Sequence, residues 1–145
     1  MKKRILIVDD EQGIRDLLKF KLINRGYEVA TAESADEFWM RAMESKFDLI
    51  ILDIWLKGRL GTNVYGKLLE AGLDRNIPVI FVTALIEDSP RSHVKVGCKY
   101  ANYGKPLDMK KFMGDVDLLL NADRAVGGKV DVKELATDGN GKENK

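Results

Sequence analysis

Several features that would assign a chain to a specialised class are scarce in this sequence. One cysteine, Cys98, among 145 residues excludes an internal disulfide framework and suits a reducing compartment. The 24 basic and 23 acidic residues nearly cancel, which gives no general electrostatic reason to expect binding to nucleic acid or a membrane. The first apolar run ends at Asp9, too early for a signal peptide or a membrane span. We therefore expect a soluble cytoplasmic protein.

The length and the apolar periodicity indicate one domain followed by a tail. A chain of 145 residues is of ordinary size for one domain and can bury a real core. The periodicity stops after Ala122, and the last residues are rich in Gly, Asn, Lys and Glu. We predict a domain over residues 1–122. Residues 123–145 are predicted to be a frayed helix end and a flexible tail, with no separate output domain.

Short apolar runs predict the strands. Three strong runs, at residues 5–8, 49–52 and 79–82, are rich in β-branched side chains, as is typical of strands covered on both faces of a parallel sheet. Two weaker runs, at residues 27–30 and 100–103, suit edge strands. With the strong strands in the centre and the weak ones outside, the order becomes 2-1-3-4-5.

Helical stripes separate these runs. The second stripe contains Ala35, Phe38, Trp39, Ala42 and Met43, with Ser34 placed to cap it. Trp39 and Phe38 are expected in the core and at the core rim and not in a binding site, and Asp108 is expected to cap the last helix. Residues 88–96 form the poorest helix. Five strand-helix repeats predict an α/β, flavodoxin-like, doubly wound five-stranded parallel sheet with five helices.

Acidic side chains follow two neighbouring strands of this predicted sheet. Asp9 and Asp10 come directly after the first strand, and Asp53 comes directly after the third. Ligands of open α/β sheets bind at the carboxyl edge, where the strand order reverses. Carboxylates crowded there repel one another unless a proton or a cation intervenes, and oxygen-only ligands suit Mg²⁺.

A hydroxyl and an ammonium group are expected at the same edge. Thr83 ends the fourth strand and Lys105 follows the fifth. A carboxylate nucleophile, a metal, a fixed cation and a hydroxyl together suit phosphoryl transfer. Each element alone also fits a blander interpretation: Asp9-Asp10-Glu11 as a solvated helix start, Asp53 or Thr83 as a strand-ending residue, and Lys105 as a loop lysine.

Four elements occur in this order, each at the end of a predicted strand: Asp9-Asp10, Asp53, Thr83 and Lys105-Pro106. With these elements the chain resembles the receiver domain of bacterial response regulators. The resemblance covers about residues 3–121. It implies that Asp53 accepts a phosphoryl group from a sensor histidine kinase. It also implies that Lys105 contacts this group and that Thr83 moves to bond it and triggers the conformational switch.

The resemblance further implies a bound metal ion. Mg²⁺ would be held by Asp10, Asp53 and the backbone carbonyl of Trp55, with Asp9 acting largely through water. Gly61 fits the turn glycine that the family has after the phosphorylated aspartate.

Three positions depart from the family pattern. Lys57, followed by glycine, stands where the family often has proline, so the loop over residues 55–62 is expected to be more mobile than usual. Asn102 stands where an aromatic switch residue is common, so the resemblance does not assign that switch or the output surface. Trp55 and Leu85 are unusually apolar and should border the path of hydrolytic water, so we expect slow autodephosphorylation.

Three functions are considered, of which the first two share all of these site residues. The first is a switch that binds a downstream effector, as a monomer or a phosphorylation-dependent dimer. The second is a shuttle that passes the group from Asp53 to a histidine phosphotransfer protein. The third is a small α/β phosphatase, which would need a substrate pocket and usually a second acid or base, neither visible in the sequence. We expect catalysis only of the chain's own phosphorylation and dephosphorylation. Because residues 123–145 are too few for a DNA-binding output domain, the chain is interpreted as a stand-alone receiver or a piece of a larger regulator.

Overall fold

A computed structural model describes residues 2–83, 100–105 and 107–121. Within these residues the chain forms seven strands and four helices. In chain order they are β1 (Arg4–Val8), α1 (Gln12–Asn24), β2 (Glu28–Ala32), α2 (Ala35–Glu44), β3 (Leu49–Asp53), β4 (Trp55–Leu56), β5 (Arg59–Leu60), α3 (Gly61–Glu70), β6 (Val79–Thr83), β7 (Tyr100–Gly104) and α4 (Met109–Asn121).

Five strands form one parallel sheet in the order β2-β1-β3-β6-β7. The strongly apolar runs are the three central strands and the weaker runs are the two edges. Because β4 and β5 form a separate hairpin, this order confirms the predicted arrangement 2-1-3-4-5. The predicted helix at residues 88–96, Leu85 and the predicted tail at residues 123–145 lie outside the described residues.

Side chains of the central strands alternate between two buried layers. Leu6, Leu52 and Phe81 face the layer that contains α2 and α3. Ile7, Ile51 and others face the layer that contains α1 and α4. Fully burying one such side chain contributes about 1.5–3 kcal/mol, so the two layers fix the strand register and the positions of the strand ends.

Two helix starts confirm the predicted caps. The Ser34 hydroxyl oxygen accepts a hydrogen bond from the Glu37 N–H at 3.2 Å, and the Glu37 carboxylate accepts one from the Glu33 N–H at 2.8 Å. At α4, the Asp108 carboxylate accepts a hydrogen bond from the Lys111 N–H at 3.2 Å. These bonds satisfy backbone N–H groups that have no partner inside their helix.

The outer part of the α2 stripe is more exposed than the sequence pattern predicts. Phe38 is fully buried, but Trp39 is 38% exposed and Met43 is about half exposed. Trp39 lies about 100° around the helix from Phe38, so the apolar stripe is wider than the helix face that meets the sheet. The expectation of Trp39 in the core and Phe38 at its rim is therefore wrong, because Phe38 is the core residue of the two.

Residues 55–60 form an antiparallel hairpin instead of an irregular loop. Trp55 pairs with Leu60, and Leu56 pairs with Arg59. The two turn residues, Lys57 and Gly58, have φ angles of 47° and 86°, as in the turns that match the twist of a two-residue hairpin. Glycine adopts positive φ readily, whereas lysine pays roughly 1 kcal/mol for it.

None of the helices in the described part of the chain combines the length and the apolar character needed to cross a bilayer.

Candidate functional site

The strand register brings the predicted acids together. Val8 of β1 pairs with Leu52 of β3, so Asp9 and Asp53 leave neighbouring strands at the same level of the carboxyl edge. Asp10 follows one residue later. Carboxylate oxygens of Asp9, Asp10 and Asp53 lie within 4.8 Å of one another.

The cluster is mostly shielded from solvent. Asp9 is 3% exposed and Asp53 is 5% exposed, while Asp10 is partly exposed. The Glu11 N–H donates to Asp9 Oδ1 at 2.9 Å, and the Asp9 N–H donates to the Ala32 carbonyl at 3.1 Å. Asp9 is thus held in place by backbone on both sides, which fixes one wall of the site.

Lys105 reaches into the acidic cluster from the end of β7. Its Nζ lies 3.1 Å from Asp9 Oδ2 and 3.4 Å from Asp53 Oδ2. Its shortest contact, at 2.7 Å, is with Glu11 Oε1. Glu11 was not predicted as a site residue, although its place as the third member of the acidic run is a signal that points to it.

The ionic contacts keep Lys105 charged. Burial lowers the pKa of Lys105, but the hydrogen bond to Glu11 and the negative charges of Asp53 and Asp9 outweigh burial. The net effect raises the pKa of Lys105 above its ordinary value. A fixed positive charge therefore faces Asp53 at any physiological pH.

Asp53 carries the opposite perturbation. Burial, followed by the negative charge of Asp9, raises the pKa of Asp53 to about 7, although Lys105 and the Trp55 N–H act to lower it. The negative charge of the carboxylates thus exceeds what Lys105 can offset, so the site requires a bound proton or a further cation. Three convergent carboxylates with this excess of negative charge fit a hard divalent cation such as Mg²⁺.

The hairpin closes the site on its second side. The Trp55 N–H donates to Asp53 Oδ1 at 3.2 Å, and the Lys57 N–H donates to Asp10 Oδ2 at 3.2 Å. The bond to Asp10 accompanies the positive φ of Lys57. The hairpin is therefore fastened to two of the three acids through its own backbone.

Gly61 is required because the backbone of α3 lies close to the backbone of Asp53, and not because of a turn with positive φ. A Cβ at Gly61 would lie 2.4 Å from the Asp53 carbonyl oxygen, and the Gly61 N–H donates to the Ile54 carbonyl at 2.6 Å. Positive φ occurs at other described glycines, Gly26, Gly58 and Gly72. Gly61 begins α3 directly against the backbone of Asp53.

Thr83 is placed by its backbone. It ends β6 and pairs with Gly104 of β7, the residue before Lys105. The register puts Thr83 at the same sheet edge as Asp53 and Lys105. The Thr83 side chain lies outside the described part of the structure, so its contact with a phosphoryl group stays a prediction, as does the role of the Trp55 carbonyl.

Residues 5–114 match the family model of the response regulator receiver domain. The chain belongs to this family. Receiver domains act in phosphorylation-dependent signalling by two-component systems, which is the function class that the strand-end residues indicated.

Curated relatives of this receiver are transcriptional regulators. It is 39% identical over 88 residues to the alkaline phosphatase synthesis transcriptional regulatory protein PhoP of Bacillus subtilis, covering 61% of this chain and 36% of that protein. It is 36% identical over 91 residues to the phosphate regulon transcriptional regulatory protein PhoB of Escherichia coli, covering 63% of this chain and 40% of that protein. The chain thus spans only 36–40% of the length of these two relatives.

Solved receiver structures confirm the predicted fold. The response regulator TrrA of Thermotoga maritima, solved in complex with Mg²⁺-BeF, is 34% identical at a TM-score of 0.65, covering 81% of this chain and 99% of that one. A CheY-like receiver domain protein of Methanospirillum hungatei is 28% identical at a TM-score of 0.73, covering 88% and 100%.

Proposed function

We propose that this receiver is a signalling switch in which Asp53 accepts a phosphoryl group from a sensor histidine kinase, with Mg²⁺ as cofactor. The observation that carries the proposal is the contact set of Lys105, whose Nζ lies 3.1 Å from Asp9 and 3.4 Å from Asp53. A buried carboxylate beside a fixed cation and a candidate metal site is what phosphoryl transfer requires.

In the proposed reaction, an Asp53 carboxylate oxygen attacks the phosphorus atom of the donor. A bond between this oxygen and phosphorus forms as the bond between phosphorus and the donor's histidine nitrogen breaks. Mg²⁺ held by Asp10, Asp53 and the Trp55 carbonyl, with Asp9 acting largely through water, would offset the negative charge of the phosphoryl oxygens.

The chain's own cation and hydroxyl complete the proposal. Lys105 would exchange part of its contact with Glu11 for a phosphoryl oxygen, because the incoming group carries more negative charge than one carboxylate. Thr83 would move to bond another phosphoryl oxygen and so start the conformational switch. The receiver over residues 1–122 would then bind a downstream protein in the cytoplasm, without direct contact with nucleic acid or a membrane.

Incubation with acetyl phosphate and Mg²⁺ tests the proposal. The intact mass should rise by one phosphoryl group, and a chelator of divalent cations should prevent the rise. Asp53→Asn should abolish the rise because the nucleophilic oxygen is lost, while the exposed control Asp16→Asn should keep it. A parent protein whose mass does not change would contradict the proposal, and an unchanged rise in Asp53→Asn would move the acceptor elsewhere.

The side chain of Trp55 should prolong the phosphorylated state. It is 42% exposed and comes two residues after Asp53, where its bulk would restrict the approach of hydrolytic water. Trp55→Asn should accelerate loss of phosphate by at least about threefold, which corresponds to about 0.6 kcal/mol of barrier height. The measurement is the decay of the phosphorylated mass after removal of the donor, with Trp39→Asn as the control. Equal decay rates in the parent and Trp55→Asn would contradict a role of Trp55 in slowing dephosphorylation.

A further inference from the structure

A groove of about 470 Å³ lies between α2, the β4-β5 hairpin and α3. Val64 and Leu60 supply apolar lining, and Trp39 and Trp55 stand at its sides. These are the chain's only two tryptophans, and they are 38% and 42% exposed. Exposed tryptophans beside a concave apolar surface are typical of protein-protein contact sites.

The apolar surface continues from the groove along α2. Met43 is about half exposed and lies about 40° around the helix from Trp39, at about 100° per residue. Trp39 and Met43 are about 6 Å apart along the helix axis, given the rise of 1.5 Å per residue. The result is an elongated apolar strip, and methionine side chains adapt readily to a partner surface.

The charge at the groove rim favours an acidic partner. Arg59 forms an exposed pair with Asp36 at 3.2 Å, while Lys67 has no ion-pair partner among the described residues. The groove lining therefore holds one acid, Asp36, and two basic side chains, Arg59 and Lys67, which leaves an excess of one positive charge, on Lys67.

We propose that this groove, the α2-hairpin-α3 groove, docks an amphipathic helix of a partner protein. The apolar face of that helix would fit against Trp39 and Trp55, and its acidic flank would face Lys67 and Arg59. The distance of about 6 Å between Trp39 and Met43 along α2 equals the rise between side chains at i and i+4 of a docked helix. The exposed apolar side chains on α1 of a second copy are a poorer match, because Lys19 and Lys21 lie among them.

The hairpin connects this groove to the acids of the site. Its backbone N–H groups at Trp55 and Lys57 are bonded to Asp53 and Asp10, while the Trp55 side chain lines the groove. A metal and a phosphoryl group on these acids would hold the hairpin in one arrangement, so that less ordering is required when a helix docks. This coupling rests on the proposed function and predicts tighter docking in the phosphorylated state.

Selection from a display library of helical peptides tests the docking site. Peptides are selected on the full chain and counter-selected on Trp39→Glu, and tryptophan-free winners are titrated by intrinsic fluorescence. We expect acidic residues beside apolar ones at i and i+3 or i+4, and a loss of affinity of at least about tenfold in Lys67→Glu, a variant that takes no part in the selection. Phe20→Ser, on the exposed face of α1, should bind like the parent. Basic winners, or binding unchanged in Lys67→Glu, would overturn the proposal.

Titration with Mg²⁺ and beryllofluoride, an acyl-phosphate mimic, tests the coupling. The selected peptide should bind the parent at least about threefold more tightly, a difference of about 0.6 kcal/mol, and should bind Asp53→Asn with unchanged affinity. Unchanged affinity in a parent that does gain mass from acetyl phosphate overturns the coupling and leaves the proposed function intact. A parent that gains no mass overturns the proposed function instead. In that case the peptide-binding result without Mg²⁺ and beryllofluoride still tests whether the groove is a docking site.

Discussion

Asp53→Asn should raise the free energy of unfolding by about 2 kcal/mol in metal-free buffer at about pH 8. Burial and the charge of Asp9 raise the pKa of Asp53 from its ordinary value of 3.8 to about 7. Above pH 7 the ionised carboxylate therefore destabilises the folded state. Asparagine has the same shape and no charge, and Lys105 keeps its contacts with Asp9 and Glu11. Solvent at the mouth of the site reduces the effect below the full value of the pKa shift.

The sign of the pH dependence follows from proton counts. Between about pH 3.8 and 7, folded Asp53 retains a proton that the unfolded chain has released. The contribution of Asp53 to stability therefore falls as pH rises through this window. The advantage of Asp53→Asn should be complete above pH 7 and should disappear towards pH 4, as measured by chemical denaturation of both proteins across the range.

Two controls sharpen this experiment. Asp16→Asn removes an exposed carboxylate on α1 and should change the stability by less than about 0.5 kcal/mol. Mg²⁺ should stabilise the parent more than Asp53→Asn, because ligands that bind the folded state add to its stability. A gap between parent and variant that widens towards acid pH would contradict the assignment.

The fold could be predicted from the sequence because burial leaves a plain pattern. The runs at residues 5–8, 49–52 and 79–82 are apolar at every position, and their short length and β-branched side chains indicate strands covered on both faces. Once these strands are central, the edge strands and the order follow. Strand ends were less certain: β2 covers Glu28–Ala32 instead of residues 27–30, because polar edge positions carry little burial signal.

The acids and the lysine of the site could be predicted because they are attached to strand ends. Asp9, Asp53 and Lys105 are fixed by sheet register, so topology alone brings them together. The contact of Lys105 with Glu11 could not be predicted, because it depends on how two long side chains settle among several charges. No spacing rule in the sequence encodes that choice.

The hairpin could not be predicted because its signals conflict. Lys57-Gly58 is a usable turn pair, but lysine at positive φ is unfavourable, and strands of two residues leave no periodicity to read. The hairpin depends on tertiary contacts, chiefly the bond from the Lys57 N–H to Asp10. Likewise, the exposure of Trp39 depends on where α2 lies on the sheet, which hydrophobic spacing alone does not specify.

Gly61→Ala should destabilise the fold by about 3 kcal/mol, at the upper end for overpacking a rigid site. The added Cβ would lie 2.4 Å from the Asp53 carbonyl oxygen and 3.0 Å from Leu52 Cδ1. Neither neighbour can retreat easily, because Leu52 is fully buried and Asp53 ends a central strand. The Gly61 N–H bond to the Ile54 carbonyl holds the glycine from the other side.

Gly66→Ala is the matched control, because Gly66 lies in the same helix with nothing within 4 Å of a new Cβ. It should stabilise the protein by about 0.5–1 kcal/mol, since alanine favours the helix over glycine. Urea denaturation of both variants gives the comparison, and acetyl phosphate labelling should be impaired in Gly61→Ala alone. Equal stabilities for the two variants would show that the backbone at Asp53 yields, and that Gly61 does not fix the position of the acceptor carboxylate.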